Sequence, residues 1–131
     1  MTKSVNEFTL IVSEIKKEVL AMIIDFKQIE ETVIPHFRGG EKETRSRMFA
    51  DPACKIMHGR LEPGASIGLH THDTSSEIIY ILKGRGKVLY DGGYEEGRGG
   101  VCSHYCPKGH EHSLINDSDE DLIFFAVVPE Q

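Results

Sequence analysis

The stretch Gly64-Ala-Ser-Ile-Gly-Leu-His70-Thr-His72-Asp-Thr-Ser-Ser-Glu77-Ile-Ile-Tyr-Ile-Leu-Lys-Gly84 constrains the fold of this chain more than any other. On an extended strand, residues two apart share a face, so His70 and His72 point the same way. Asp73 to Ser76 is polar and turn-forming, and Glu77 stands at the head of the apolar run that follows. This pattern predicts an antiparallel hairpin with Glu77 returning opposite the histidines. Two imidazoles and a carboxylate would then face one point, and a closed site would need one more ligand. A second segment, Pro107-Lys-Gly109-His110-Glu-His112-Ser-Leu-Ile-Asn116, offers it. A lone histidine is usually an ordinary surface or hydrogen-bonded residue, but ligand-type residues grouped in this way point to metal binding.

The rest of the chain after Met22 reads as short strands broken by turns. Strands are expected at Ile23 to Phe26, Arg47 to Ala50, Lys55 to Leu61, Ile67 to His72, Glu77 to Leu82, Lys87 to Tyr90, Val101 to Tyr105, His112 to Ile115 and Leu122 to Val128. Glycine-rich or polar turns lie between them, such as Lys83-Gly-Arg-Gly86 and Asp91-Gly92-Gly93. Many short strands with almost no helix predict an all-β sandwich or barrel. If the histidines face inward, parity places Ser66 and Gly68 inward as well, and in the next strand Ile79 and Ile81 beside Glu77. Ile78, Tyr80 and Leu82 then form a second apolar face that needs its own cover. A homodimer burying Tyr80 and its aliphatic neighbours is the expectation.

Met1 to Ala21 reads differently. Val5, Phe8, Val12, Ile15 and Val19 recur at three- and four-residue steps, as in a short amphipathic helix. A second reading stays open: Lys17-Glu18-Val19 can be encoded by a purine-rich run resembling a bacterial ribosome-binding sequence, just ahead of Met22. Residues 1–21 would then be an extension outside the natural protein; on either reading 22–131 is expected to form a single domain.

Charge and composition exclude some functions. A net charge of -6 and a pI near 5.6, with no Lys/Arg-rich run, argue against nucleic acid or anionic membrane as the partner. The apolar runs are strand-length, so no membrane span is expected. Three cysteines with no secretory signal point to a reducing, cytoplasmic setting.

The two segments resemble the motifs of the cupin family. The first is similar to Gly-x5-His-x-His-x4-Glu-x6-Gly with every position filled, and the second to Pro-x-Gly-x2-His-x3-Asn, filled by Pro107, Gly109, His112 and Asn116. The glycine that should stand six residues before that Pro is Val101 here, with Gly100 one position earlier. The resemblance implies a double-stranded β-helix, a small jelly-roll barrel open at one end, and His70, His72, Glu77 and His112 as ligands of one metal ion. Three imidazoles and a carboxylate suit divalent Fe, Mn, Ni, Co, Cu or Zn rather than Ca or Mg. An octahedral ion so held keeps two positions for a bidentate ligand or dioxygen.

A small polar organic molecule in the barrel is the implied ligand, and two functions are compatible with it. One is a metalloenzyme of dioxygenase, isomerase or lyase type; the other is a metal-dependent binding or sensor module without turnover. No helix-turn-helix or other output segment is legible, which favours the enzyme. His110 is the candidate for a pocket acid or base, with His58, Tyr105 and Lys55 behind it. Arg45, Arg47, Lys55 and Arg60 form no evident cluster for clamping a sugar phosphate. Cys102, His104 and Cys106 share one parity, but alternate residues of one strand are too collinear to surround an ion.

Overall fold

Alternation along each strand decides which side chains are sealed inside. The computed structural model describes residues 23–131, so the helix expected within residues 1–21 lies outside the described residues. Ten strands follow in chain order: β1 (Thr32–Pro35), β2 (Glu43–Ala50), β3 (Cys54–Leu61), β4 (Ser66–Thr71), β5 (Glu77–Lys83), β6 (Arg85–Tyr90), β7 (Gly93–Arg98), β8 (Ser103–Cys106), β9 (Glu111–Ile115) and β10 (Leu122–Pro129). They form a six-stranded antiparallel sheet in the order β1-β2-β3-β10-β5-β8 and a four-stranded one in the order β4-β9-β6-β7. This is the all-β double-stranded β-helix expected from the sequence.

β10 lies between β3 and β5 and shows how the core is built. Leu122, Phe124 and Ala126 on its inner face are fully buried, and they meet Met57 and Leu61 of β3, Ile79 and Ile81 of β5, and Val88 and Leu114 of the facing sheet. Each large side chain sealed in this way contributes roughly 1.5–3 kcal/mol. Gly59 makes room for the Phe124 ring, since a Cβ there would come within 2.3 Å of it. On β2 the inner positions Thr44 and Ser46 are buried with hydroxyls that find no protein partner, an uncompensated desolvation.

Inward parity holds along β5: Glu77, Ile79 and Ile81 are buried, whereas Ile78 and Leu82 are 42% and 41% exposed on the outer face. It fails along β4. A register shift between Ile67 and His70 resets the alternation, so Ile67 joins His70 on the inner side. Ser66 is also buried, because the loop before β2 covers it and the Glu41 N–H donates to its hydroxyl.

The predicted hairpin is the main correction. β4 and β5 do not pair: β4 pairs with β9 in one sheet, and β5 pairs with β10 and β8 in the other. The polar residues after His72 carry the chain from one sheet to the other, so the ligand-type side chains converge from facing sheets. Ile23 to Phe26 is not a strand either. Asp25 accepts a hydrogen bond from the Lys27 N–H and caps a 3-10 turn, Phe26–Gln28. β2 begins four residues earlier than expected, and β1 and β7 were not anticipated.

Candidate metal centre

His112 of β9 stands directly opposite His70 of β4 in the strand register. His72 follows the end of β4 and is held there by backbone hydrogen bonds, its N–H to the His110 carbonyl and its carbonyl from the Gly109 N–H. Gly109 has φ +89, a left-handed turn that glycine adopts without strain. Glu77 opens β5 on the other sheet, paired with Cys106 of β8. The structure thus brings His70, His72, Glu77 and His112 together, all buried except the half-buried His70.

Their donor atoms crowd one point. Nε2 of His72 and Nε2 of His112 are 2.9 Å apart, and each is 2.9 Å from Oε1 of Glu77. Nε2 of His70 is 3.2 Å from Nε2 of His112. Two ligands at right angles, each about 2.1 Å from one ion, stand about 3.0 Å apart. These separations therefore fit an ion with ligands at right angles, and the group could hold a divalent metal.

The outer nitrogens decide what the inner ones can do. His70 Nδ1 lies 2.7 Å from the Gly68 carbonyl, which only accepts, so that nitrogen carries the proton and Nε2 is bare. His72 Nδ1 is 3.0 Å from the Ser75 hydroxyl, and His112 Nδ1 is 3.0 Å from Nε2 of His104. Each ring has behind it a group able to accept from Nδ1, the arrangement that aims Nε2 lone pairs at a cation and fixes ring orientation. A proton on Nδ1 leaves Nε2 for a cation, which would take the place of the contacts that Nε2 of His72 and His112 make with Glu77.

Electrostatics favour the charge states such an ion needs. Burial alone would raise the Glu77 carboxyl, but hydrogen bonds from His112 and His72, and their charge, hold it down at about 2. Burial lowers His70, more than its bond to Gly68 opposes, and favours the neutral ring. Burial, followed by the neighbouring His112, lowers His104 to about 4, so its Nε2 is free to accept from His112. Burial, reinforced by the charge of Glu77, lifts the Cys106 thiol to about 11.

Spacing along one strand gives His104, Cys102 and Cys106 no ligand role of their own. Cys102 takes no part here, while His104 and Cys106 approach His112 from behind. Since the Cys106 thiol keeps its proton and His104 is within hydrogen-bond distance of His112, this is a backing for the imidazole. His104 faces inward because it pairs with Ile79, an inward residue of β5.

The four residues form one wall of a cavity of about 340 Å³, at the small end of ligand pockets. Met57, Ile67 and Leu114 line its apolar depth, and Arg38, Lys55, Asp73 and Glu130 its mouth. His110 lies outside it, with Nδ1 2.8 Å from Asp91 Oδ2 and 3.2 Å from the Tyr90 hydroxyl. His58 packs against the Phe26 ring on the outer face, and Tyr105 is 56% exposed. Of the four cations weighed as a phosphate clamp, Arg45 pairs with Glu31 and Glu43, Arg60 with Glu31 and Asp121, and Arg47 donates to the Ile29 carbonyl. Only Lys55 reaches the cavity.

Two facing sheets with three imidazoles and a carboxylate gathered in the cavity between them are the arrangement of a cupin, and residues 57–128 match the family model of the cupin domain. The chain belongs to the cupin family. It is 34% identical over 120 residues to the oxalate-binding protein of Thermotoga maritima, covering 86% of this chain and 97% of that protein. Among solved structures it resembles a predicted oxalate decarboxylase from Thermotoga maritima, with TM-score 0.78 and 29% identity over 84% of this chain and 100% of the other. It also shares its fold with a sugar phosphate isomerase of the cupin superfamily from Silicibacter pomeroyi, with TM-score 0.69 and 21% identity over 84% and 76%.

Proposed function

We propose that this protein binds a small carboxylate, with oxalate the first to test, at a divalent transition metal held by His70, His72, Glu77 and His112. The observation that carries the reading is the set of donor separations of 2.9–3.2 Å, with a group able to accept behind every imidazole. The ligand class is supported by the oxalate-binding relative and by a cavity of about 340 Å³. When bound, the ion supplies Lewis acidity and coordination positions for carboxylate oxygens. The chain's own residues orient the imidazoles, favour the neutral ring of His70, keep Glu77 ionised, and close the depth of the cavity with apolar side chains that exclude water. Binding is the step that a carrier and a dioxygenase, isomerase or lyase have in common, and it is the step assigned here.

Calorimetric titration with oxalate tests it, using manganese-loaded and chelator-stripped protein side by side. Saturable binding in the loaded protein alone is the expected result, and its absence there overturns the reading. The outer face carrying Ile78, Tyr80 and Leu82 is assigned to a second copy of the chain. Light scattering should give twice the chain mass, falling to one in Ile78→Lys; a monomeric parent would contradict this assignment. Among the described residues no helix is long and apolar enough to cross a membrane.

A further inference from the structure

The 3-10 turn Phe37–Gly39 lies against β4, and its backbone is fitted to bare glycine backbone. A Cβ on Gly68 would stand 2.1 Å from the Arg38 carbonyl oxygen, and one on Gly40 would stand 2.0 Å from the Ser66 carbonyl oxygen. The turn is thereby seated on the strand that carries His70, at the very residue whose carbonyl receives the His70 Nδ1–H. Within it Arg38 takes φ 56 and ψ 27, a left-handed conformation disfavoured for a side chain of this kind. Such a conformation persists only where its surroundings hold it in place.

The Arg38 side chain lines the mouth of the cavity. Its guanidinium carbon lies 5.9 Å from the centroid of the Phe37 ring. Lys55 reaches the same mouth from the six-stranded sheet, since it shares its face of β3 with Met57 and Leu61 and stands at the open end. Unlike Arg45, Arg60 and Lys87, neither forms an ion pair among the described residues. The carboxylates that share the lining are Asp73, Glu77 and Glu130. Without an ion the lining is therefore one negative charge past neutral, and a divalent ion at the four ligands makes it net positive. Two unpaired cations beyond a metal suit a ligand that carries negative charge at both ends.

We infer that Arg38 and Lys55 receive the outer carboxylate of a short dicarboxylate whose inner carboxylate meets the metal, and so select dicarboxylates over monocarboxylates. The inference rests on the carboxylate-binding reading above and adds the residues that recognise the far end. Arginine can take a carboxylate through two parallel hydrogen bonds, and lysine adds a mobile point charge. Both residues are exposed, so neither contributes to the core.

The test titrates manganese-loaded protein with oxalate, malonate and acetate, using the parent, Arg38→Gln, Lys55→Gln and the double variant. Metal content and thermal midpoint are measured on each. The parent should bind both dicarboxylates more tightly than acetate. Each single variant should lose about tenfold in dicarboxylate affinity, a loss appropriate to a hydrogen bond to a charged group, and keep its acetate affinity and its metal. Dicarboxylate affinity unchanged in a folded, metal-loaded double variant overturns the inference and leaves the carboxylate-binding reading standing. Equal loss for acetate and oxalate overturns the selectivity. A loaded parent that binds no carboxylate overturns both.

Discussion

His104 Nε2 lies 3.0 Å from Nδ1 of His112, so the imidazole that faces two other histidines and Glu77 is held from behind by a fourth histidine. Four imidazoles and one carboxylate thus form one connected group, bridging both sheets. If His104 orients His112, removing its acceptor should weaken the centre without removing a ligand. His104→Ala is expected to lower metal affinity by about 10–100-fold in chelator competition, and His104→Gln, whose carbonyl oxygen can accept in its place, to recover much of it. Equal affinity in parent and His104→Ala would show that the contact has no such role.

The same residue gives a pH dependence for the metal-free protein. His104 titrates near 6.5 when unfolded and at about 4 when folded, and His70 is lowered as well. The unfolded chain therefore binds more protons between these values, so stability is full above about 6.5 and falls as pH drops toward 4. Glu77 has the same sign at lower pH, from 4.5 down to about 2. Urea unfolding at a series of pH values should show the decline, with a shallower slope in His104→Gln, which does not titrate. An identical slope would place the dependence elsewhere.

Thr44 offers a test of the barrel interior. Its hydroxyl is buried without a partner, so Thr44→Val removes an unsatisfied group and leaves the shape nearly unchanged. A gain of about 1 kcal/mol is expected in urea unfolding. A loss would mean that the hydroxyl is satisfied in solution.

Gly68 joins the turn carrying Arg38 to the strand carrying His70. In Gly68→Ala the new methyl meets the Arg38 carbonyl oxygen at 2.1 Å, which is backbone and cannot swing aside. A destabilisation of about 1–3 kcal/mol is expected, together with weaker metal binding, because the carbonyl that orients His70 moves with it. Unchanged stability would show that the turn yields freely.

Much of the site was legible because it is written in local spacing. The inward parity of Glu77, Ile79 and Ile81 follows from alternation on one strand, and Gly109 marks a turn that needs positive φ. What was not legible depends on distant pairing. Asp73 to Ser76 has the composition of a hairpin turn and equally of a crossing between sheets, and only the partners of β4 and β5 distinguish the two. The shift between Ile67 and His70 inserts no signature residue, so alternation alone does not show that Ile67 shares the inner side with His70. β7 is paired on one edge only and mostly exposed, so it shows no apolar alternation. His104 and Arg38 owe their places to the pairing of β8 with β5 and to the seat on Gly68, which no single segment encodes.

The most direct measurement is elemental mass spectrometry on untagged protein purified without chelator, with His72→Ala beside it and circular dichroism on both. The account predicts a stoichiometric divalent transition metal in the parent and its loss from a variant that keeps its β-sheet spectrum. A parent without metal after incubation with manganese, iron or zinc, or a variant that holds as much as the parent, would contradict the assignment of His70, His72, Glu77 and His112 as the metal ligands.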